Sequence, residues 1–83
     1  MKTITIKKET ITTNEGWSLA RLNKPYLFTD SNNNGVYTGD CVSFYVDDDY
    51  MQRTGYIQKL DGYNIKIDCF DIVFNKWYQY DVE

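Results

Sequence analysis

The most restrictive absence in this sequence is histidine, since the 83 residues contain none. A Ser-His or Cys-His nucleophilic pair cannot form without it, and neither can a zinc site built on imidazole ligands. Carboxylate chemistry remains open, but a chain this short rarely encloses a catalytic pocket that excludes water. We therefore expect a protein that is not an enzyme and that carries no cofactor and no metal.

Cysteine and long apolar runs are also scarce. Cys41 and Cys69 form no CxxC pair, and each lies in an apolar alternation, which favours two reduced, buried side chains over a disulfide between facing strands. No segment reaches the roughly 20 apolar residues of a membrane span, and the first residues lack the apolar run of a signal peptide. The sequence thus predicts a single cytoplasmic domain over residues 1–83, with no membrane partner.

Charge is unevenly distributed around a net value of −3. Residues 1–39 hold five basic and three acidic side chains, whereas residues 40–83 hold four basic and nine acidic ones. This pattern argues against a protein that binds DNA mainly by neutralising phosphates. It is compatible with an acidic face that meets a basic partner, or simply with a solubilising surface.

Apolar side chains recur mainly with a period of two, which is typical of half-buried strands. The sequence predicts mostly β structure, as a small SH3-like barrel or a highly bent antiparallel sheet of five to seven short strands. Residues 15–22 read equally well as a short helix or as a strand, and residues 71–80 as a last strand or an extended tail. The predicted strands are 2–7, 26–29, 36–38, 41–46, 55–60 and 63–69, and the predicted turns are 30–35 and a type I′ turn at Asp61-Gly62.

Part of this pattern resembles known families. The chain contains a residue pattern that resembles that of SH3-like barrels. It consists of Gly39-Asp40, Val42 and Phe44, followed by Gly55 and Ile57, and then by residues 60–67. With the preceding residues 28–40, the stretch also resembles small phage proteins of the YopX type. The resemblance covers residues 27–68 and implies a viral or prophage origin, hence the cytoplasm of the host cell, and no active site.

One loop has the beginning of a calcium-binding pattern. Asp30, Asn32 and Asn34 alternate before Gly35, as in the first half of such a loop. The position that needs an acidic bidentate ligand is Cys41, and strands are predicted on both sides instead of helices. A plain turn in which the Asp30 side chain binds nearby backbone amides is the favoured interpretation.

The leading functional hypothesis is stoichiometric binding to a host protein, in its most concrete form the inhibition of a defence or regulatory factor. Aromatic and acidic side chains that share a loop would suit an Arg-rich surface on such a partner. The residues predicted to bind are Tyr45, Asp47, Asp48, Asp49 and Tyr50.

Two other hypotheses rest on the 14 aromatic residues, of which eight are tyrosines. Tyr37, Tyr45, Tyr56 and Tyr63 fall outside the inward alternation, so several should be exposed. A nucleic-acid-binding barrel would use Arg53, Tyr56, Lys59, Tyr63 and Lys66. An oligomeric protein that sequesters a small nucleotide signal is the third reading. Finally, we expect Trp77, Tyr78 and Tyr80 to close the open end of the barrel, with an exposed strand as the alternative.

Overall fold

A computed structural model describes residues 4–14, 23–46, 52–60, 62 and 64–83. Its strands, in chain order, are β1 (Thr5–Ile6), β2 (Thr12–Thr13), β3 (Tyr26–Thr29), β4 (Gly35–Tyr37), β5 (Cys41–Tyr45), β6 (Gln52–Leu60), β7 (Asn64–Asp71) and β8 (Lys76–Val82). A single 3-10 turn at Lys8–Thr10 separates β1 from β2. The segment 15–22, predicted as helix or strand, lies outside the described residues.

Six of these strands form one curled sheet in the order β1-β8-β7-β6-β5-β2, and β3 and β4 form a separate hairpin. All pairings are antiparallel except that of β1 with β8, which is parallel. The large sheet closes about half of a barrel. The predicted fold class, mostly β with a small and highly bent sheet, is confirmed.

The core lies inside the curve of the sheet and follows the predicted alternation. Strand β5 contributes the buried side chains of Val42 and Phe44, and Val46, just after the strand, is buried as well. The β3–β4 hairpin adds Phe28 and Val36 to the core. The Phe44 and Tyr80 rings pack with centroids 5.2 Å apart. Within the described ranges, the other buried apolar residues are Ile6, Ile11, Ile57, Ile65, Ile67 and Cys69.

The bend of the sheet occurs within β6. The first half of this strand pairs with β5 up to Tyr56, and the second half, from Tyr56 onward, pairs with β7. Gly55 stands at the change of partner, where a Cβ atom would lie 2.6 Å from the carbonyl oxygen of Asp68. The absent side chain therefore lets β6 and β7 approach closely while β6 turns toward β5.

The β6–β7 connection differs from the predicted type I′ turn. Leu60 pairs with Asn64, so three residues separate the strands where a type I′ turn has two. Gly62 has a φ of +71°, a left-handed conformation that glycine adopts without steric cost. The predicted turn position of Gly62 is confirmed, and the predicted register of β6 with β7 is wrong by one residue.

The C-terminal segment also differs from its prediction. Residues 71–80 are neither one strand nor a tail, because a turn at 72–75 separates the end of β7 from β8. The predicted closure is correct for Tyr80, which is 6% exposed, and wrong for Trp77 and Tyr78, which are 62% and 39% exposed. Trp77 points to the outer face because β8 alternates, with Tyr80 facing the core.

Both cysteines are free thiols. Cys69 is buried as predicted, but Cys41 is only half-buried, at the start of β5. Burial raises the pKa of the Cys69 thiol and of the Tyr80 phenol above their ordinary values. Both groups thus stay neutral near pH 7 and act as part of the core.

Candidate protein-binding surface

The β7–β8 hairpin ends in a turn that carries three apolar side chains, Ile72, Val73 and Phe74, here called the apolar tip. Asp71 organises this turn, because its Oδ1 atom accepts the backbone N–H groups of Val73 (2.9 Å) and Phe74 (3.2 Å). Asn75 completes it with a φ of +53°, which asparagine tolerates better than most residues. The side chain of Asp71 therefore stabilises the turn that carries the apolar tip.

The apolar tip is exposed to an extent that folding does not explain. Ile72 and Val73 are 84% and 85% exposed, and Phe74 is 66% exposed. These side chains lie outside the buried core of their own chain, and exposed apolar side chains grouped in this way commonly mark an interaction site.

A second group of aromatic side chains lies on the outer face next to the tip. Phe70 and Trp77 are cross-strand partners, with ring centroids 5.2 Å apart. Tyr56 of β6 lies on the same face and is 56% exposed. We call Tyr56, Phe70 and Trp77 the outer aromatic patch.

Polar side chains continue the outer face away from the tip. Asp68 accepts hydrogen bonds from the side-chain amides of Gln58 on β6 and Gln79 on β8. Lys66 and Asp81 form an ion pair one step further along the strands. This face thus changes from apolar at the tip to acidic and polar at its base.

The predicted protein-binding residues are only partly described. Tyr45 is 47% exposed at the end of β5, in agreement with the expected exposed tyrosine. Asp47, Asp48, Asp49 and Tyr50 lie outside the described residues, so the acidic loop stays a prediction. Tyr37, also expected at the surface, is half-buried against Tyr26 in the β3–β4 hairpin.

The residues of the nucleic-acid hypothesis do not share one face. Tyr56 and Lys66 lie on the outer face, and Lys66 is paired with Asp81. Arg53 and Lys59 have the opposite parity in β6, the parity of buried Ile57. Tyr63 lies outside the described residues. The β structure therefore brings two of the four described residues together and separates them from the other two.

The Asp30 loop is a turn, as favoured from the sequence. Asp30 is 5% exposed, and its carboxylate accepts the backbone N–H groups of Thr13, Asn32 and Asn34 at 2.9–3.0 Å. Burial acts to raise the pKa of this carboxyl, but the hydrogen bonds outweigh it and the pKa lies below its ordinary value. Within the described ranges no group of three or more metal-ligating side chains occurs.

The described surface also has an open cleft beside β1 and the β3–β4 turn. Charged and hydroxyl side chains line it, among them Lys7, Lys8, Glu9, Ser31 and Glu83. Among the described residues, no helix has the length and apolar character required to cross a bilayer.

Comparison with known proteins adds no relative. No family model, no curated protein and no solved structure matches the chain. The resemblance of residues 27–68 to YopX-type phage proteins stays a prediction.

Sequence reasoning missed the apolar tip because it treated 71–80 as one element. The usable signal was the pair Asp71 and Asn75, two turn-forming residues that flank three apolar ones. A turn bounded by these two residues places the three side chains between them, Ile72, Val73 and Phe74, at the end of a hairpin.

Proposed function

We propose that this protein is a non-enzymatic module that binds a partner protein stoichiometrically through the apolar tip. The observation that carries the proposal is the exposure of Ile72, Val73 and Phe74 on a turn that Asp71 holds in place. In its most specific form, the partner is a host protein whose action the binding inhibits.

The magnitude of the effect supports a role in binding. Complete burial of a large apolar side chain contributes roughly 1.5–3 kcal/mol, so the three side chains together could supply several kcal/mol to an interface. The Asp71 hydrogen bonds fix the turn before binding, which reduces the conformational entropy lost on association. A protruding, preorganised turn of this type fits a concave apolar cleft on another protein.

The same features favour a protein over a nucleic acid as partner. Two of the three tip side chains, Ile72 and Val73, provide no ring on which a base can stack, and none of the three carries a positive charge for a phosphate. The hairpin and the residues after it, 64–83, hold two basic and four acidic side chains. This local excess of negative charge would repel a phosphate backbone.

The test is capture from host lysate, with and without nuclease treatment, on three immobilised forms of the full chain. These are the wild type, the tip variant Ile72→Ser/Val73→Ser/Phe74→Ser, and the loop variant Asp47→Ser/Asp48→Ser/Asp49→Ser. We expect the wild type and the loop variant to retain the same protein in a defined molar ratio. The tip variant should bind it at least about tenfold more weakly, equivalent to about 1.4 kcal/mol.

Thermal unfolding of all three forms controls for loss of structure, since the tip side chains are exposed and should add little to stability. Loss of the protein from the loop variant alone would transfer the site to the acidic loop. Retention that depends on nucleic acid would support the nucleic-acid barrel and overturn the proposal.

A further inference from the structure

We infer that the outer aromatic patch, together with Asp68, receives an arginine side chain of the partner protein. The inference rests on the proposed function, because it assigns the chemistry of the surface that borders the apolar tip. Four residues on three adjacent strands carry it: Tyr56, Asp68, Phe70 and Trp77.

The strand register places these residues on one face. Asp68 pairs with Tyr56 on one side and with Gln79 on the other, and Phe70 pairs with Trp77 in the next outward row. Directly opposed side chains in a sheet have Cβ atoms about 4.5–5.5 Å apart, and diagonal neighbours about 7–8 Å. Three aromatic side chains thus border one carboxylate within the reach of a single long side chain.

The aromatic rings remain available to a ligand. Tyr56, Phe70 and Trp77 are 56%, 41% and 62% exposed. The face of an aromatic ring carries partial negative charge and attracts a cation, most strongly in tryptophan. Arginine interacts in this way more often than lysine, because its planar guanidinium also stacks on the ring.

Asp68 supplies a charge held in a fixed position. Its Oδ1 atom accepts from Gln79 Nε2 at 2.7 Å, and its Oδ2 atom accepts from Gln58 Nε2. Two neutral amides orient the carboxylate without cancelling its charge, and its oxygens have acceptor sites to spare. Among the described residues, no cation lies within ion-pair distance of it.

The open shape of the patch distinguishes arginine from other ligands. A quaternary ammonium group donates no hydrogen bond to Asp68 and needs an enclosing aromatic cage, whereas these rings form an open face. A second copy is a poor occupant, because each chain carries a net charge of −3. Arg53, the arginine within the described ranges, is half-buried on the opposite face.

The test uses the ¹⁵N-labelled full chain and four probe peptides, acetyl-Leu-X-Leu-amide, in which X is arginine, lysine, trimethyllysine or glutamate. We expect the arginine peptide to shift the Trp77 indole N–H signal, which Trp77→Phe identifies. The lysine and trimethyllysine peptides should bind more weakly, and the glutamate peptide should give no shift. Asp68→Asn should weaken the arginine peptide about fivefold.

Glu83→Gln is the matched control, because it also removes one negative charge but lies beyond the far end of β8. It should leave the titration unchanged. Equal binding of arginine and lysine, an Asp68→Asn titration like that of the wild type, or an unmoved Trp77 signal would each overturn the inference.

The two proposals fail separately. The tip variant retains Asp68, Phe70 and Trp77, so it should still bind the arginine peptide while it loses the partner protein. A tip variant that keeps the partner would overturn the proposed function alone. If the tip variant loses the partner protein while Asp68→Asn binds it as tightly as the wild type does, the arginine inference alone would be overturned.

Discussion

Asp30 joins the β3–β4 turn to the large sheet. Its carboxylate accepts two N–H groups within the turn, from Asn32 and Asn34, and one from Thr13 of β2, which is 17 residues away in sequence. Buried backbone donors are costly to leave without an acceptor. Asp30, whose spacing resembles that of a calcium ligand, thus has a structural role. Its negatively charged carboxylate accepts hydrogen bonds from backbone N–H groups.

The loss of this charge should destabilise the protein in a pH-dependent way. Asp30→Asn replaces one acceptor oxygen by an NH₂ group, so we expect a loss of about 1–3 kcal/mol in the free energy of unfolding at pH 7. The pKa of Asp30 is lowered in the folded state. Its contribution is therefore complete above the unfolded pKa, about 3.9, and is lost as the pH falls through the folded pKa.

Urea unfolding of the wild type and Asp30→Asn between pH 7 and pH 2 measures this dependence. The difference in unfolding free energy should shrink as the solution becomes acidic. A difference that stays constant over this range would mean that the Asp30 charge does not stabilise the turn.

At the scale of elements, β6 determines the curvature of the sheet, since one strand pairs with two different neighbours along its length. The close approach at Gly55 requires the absence of a side chain. Across the core, β5 meets β8, where the Phe44 and Tyr80 rings pack with centroids 5.2 Å apart.

Gly55→Ala should therefore be costly. The added Cβ would lie 2.6 Å from the Asp68 carbonyl oxygen and 2.7 Å from Ile67 Cγ2, so backbone or core must shift. We expect a loss of about 1–3 kcal/mol, measured by urea unfolding. Gly62→Asn is the control: it changes a glycine in a turn, at a positive φ that asparagine tolerates and with open space around the Cβ position. Equal effects of the two substitutions would contradict this account of the bend.

At the scale of the whole molecule, the two ends of the described chain meet in the sheet. β1 pairs in parallel with the end of β8, through Thr5 with Asp81 and Ile6 with Val82. Ile6 is 1% exposed, while Ile72, in the same sheet's projecting hairpin, is 84% exposed. The same residue type thus serves the core at one place and an open surface at the other.

The matched pair Ile6→Ala and Ile72→Ala tests this division. We expect the first to lower the free energy of unfolding by about 2–5 kcal/mol, because it leaves a cavity in the core. The second should change it by less than about 0.5 kcal/mol. Thermal or urea unfolding measures both, and a comparable loss from Ile72→Ala would mean that the apolar tip packs against its own chain.

Much of the fold could be predicted from local sequence. The alternation of Val42, Phe44 and Val46, and of Ile65, Ile67 and Cys69, fixes which face of each strand is apolar. This works because side chains alternate strictly between the two faces of a strand, so the pattern and the face are equivalent. The same rule could not say which exposed aromatic residues would lie together.

The sequence by itself determined the β class, the inward residues and the turn at Asp30, because each depends on neighbours a few residues apart. Only the tertiary structure decided that Tyr56, Asp68, Phe70 and Trp77 share one face, since the register of three strands sets their distances. It also decided that Trp77 is exposed and Tyr80 buried. The curved sheet buries the side chains on its concave side and leaves those on its convex side exposed. The curvature arises within β6, where the strand changes from pairing with β5 to pairing with β7.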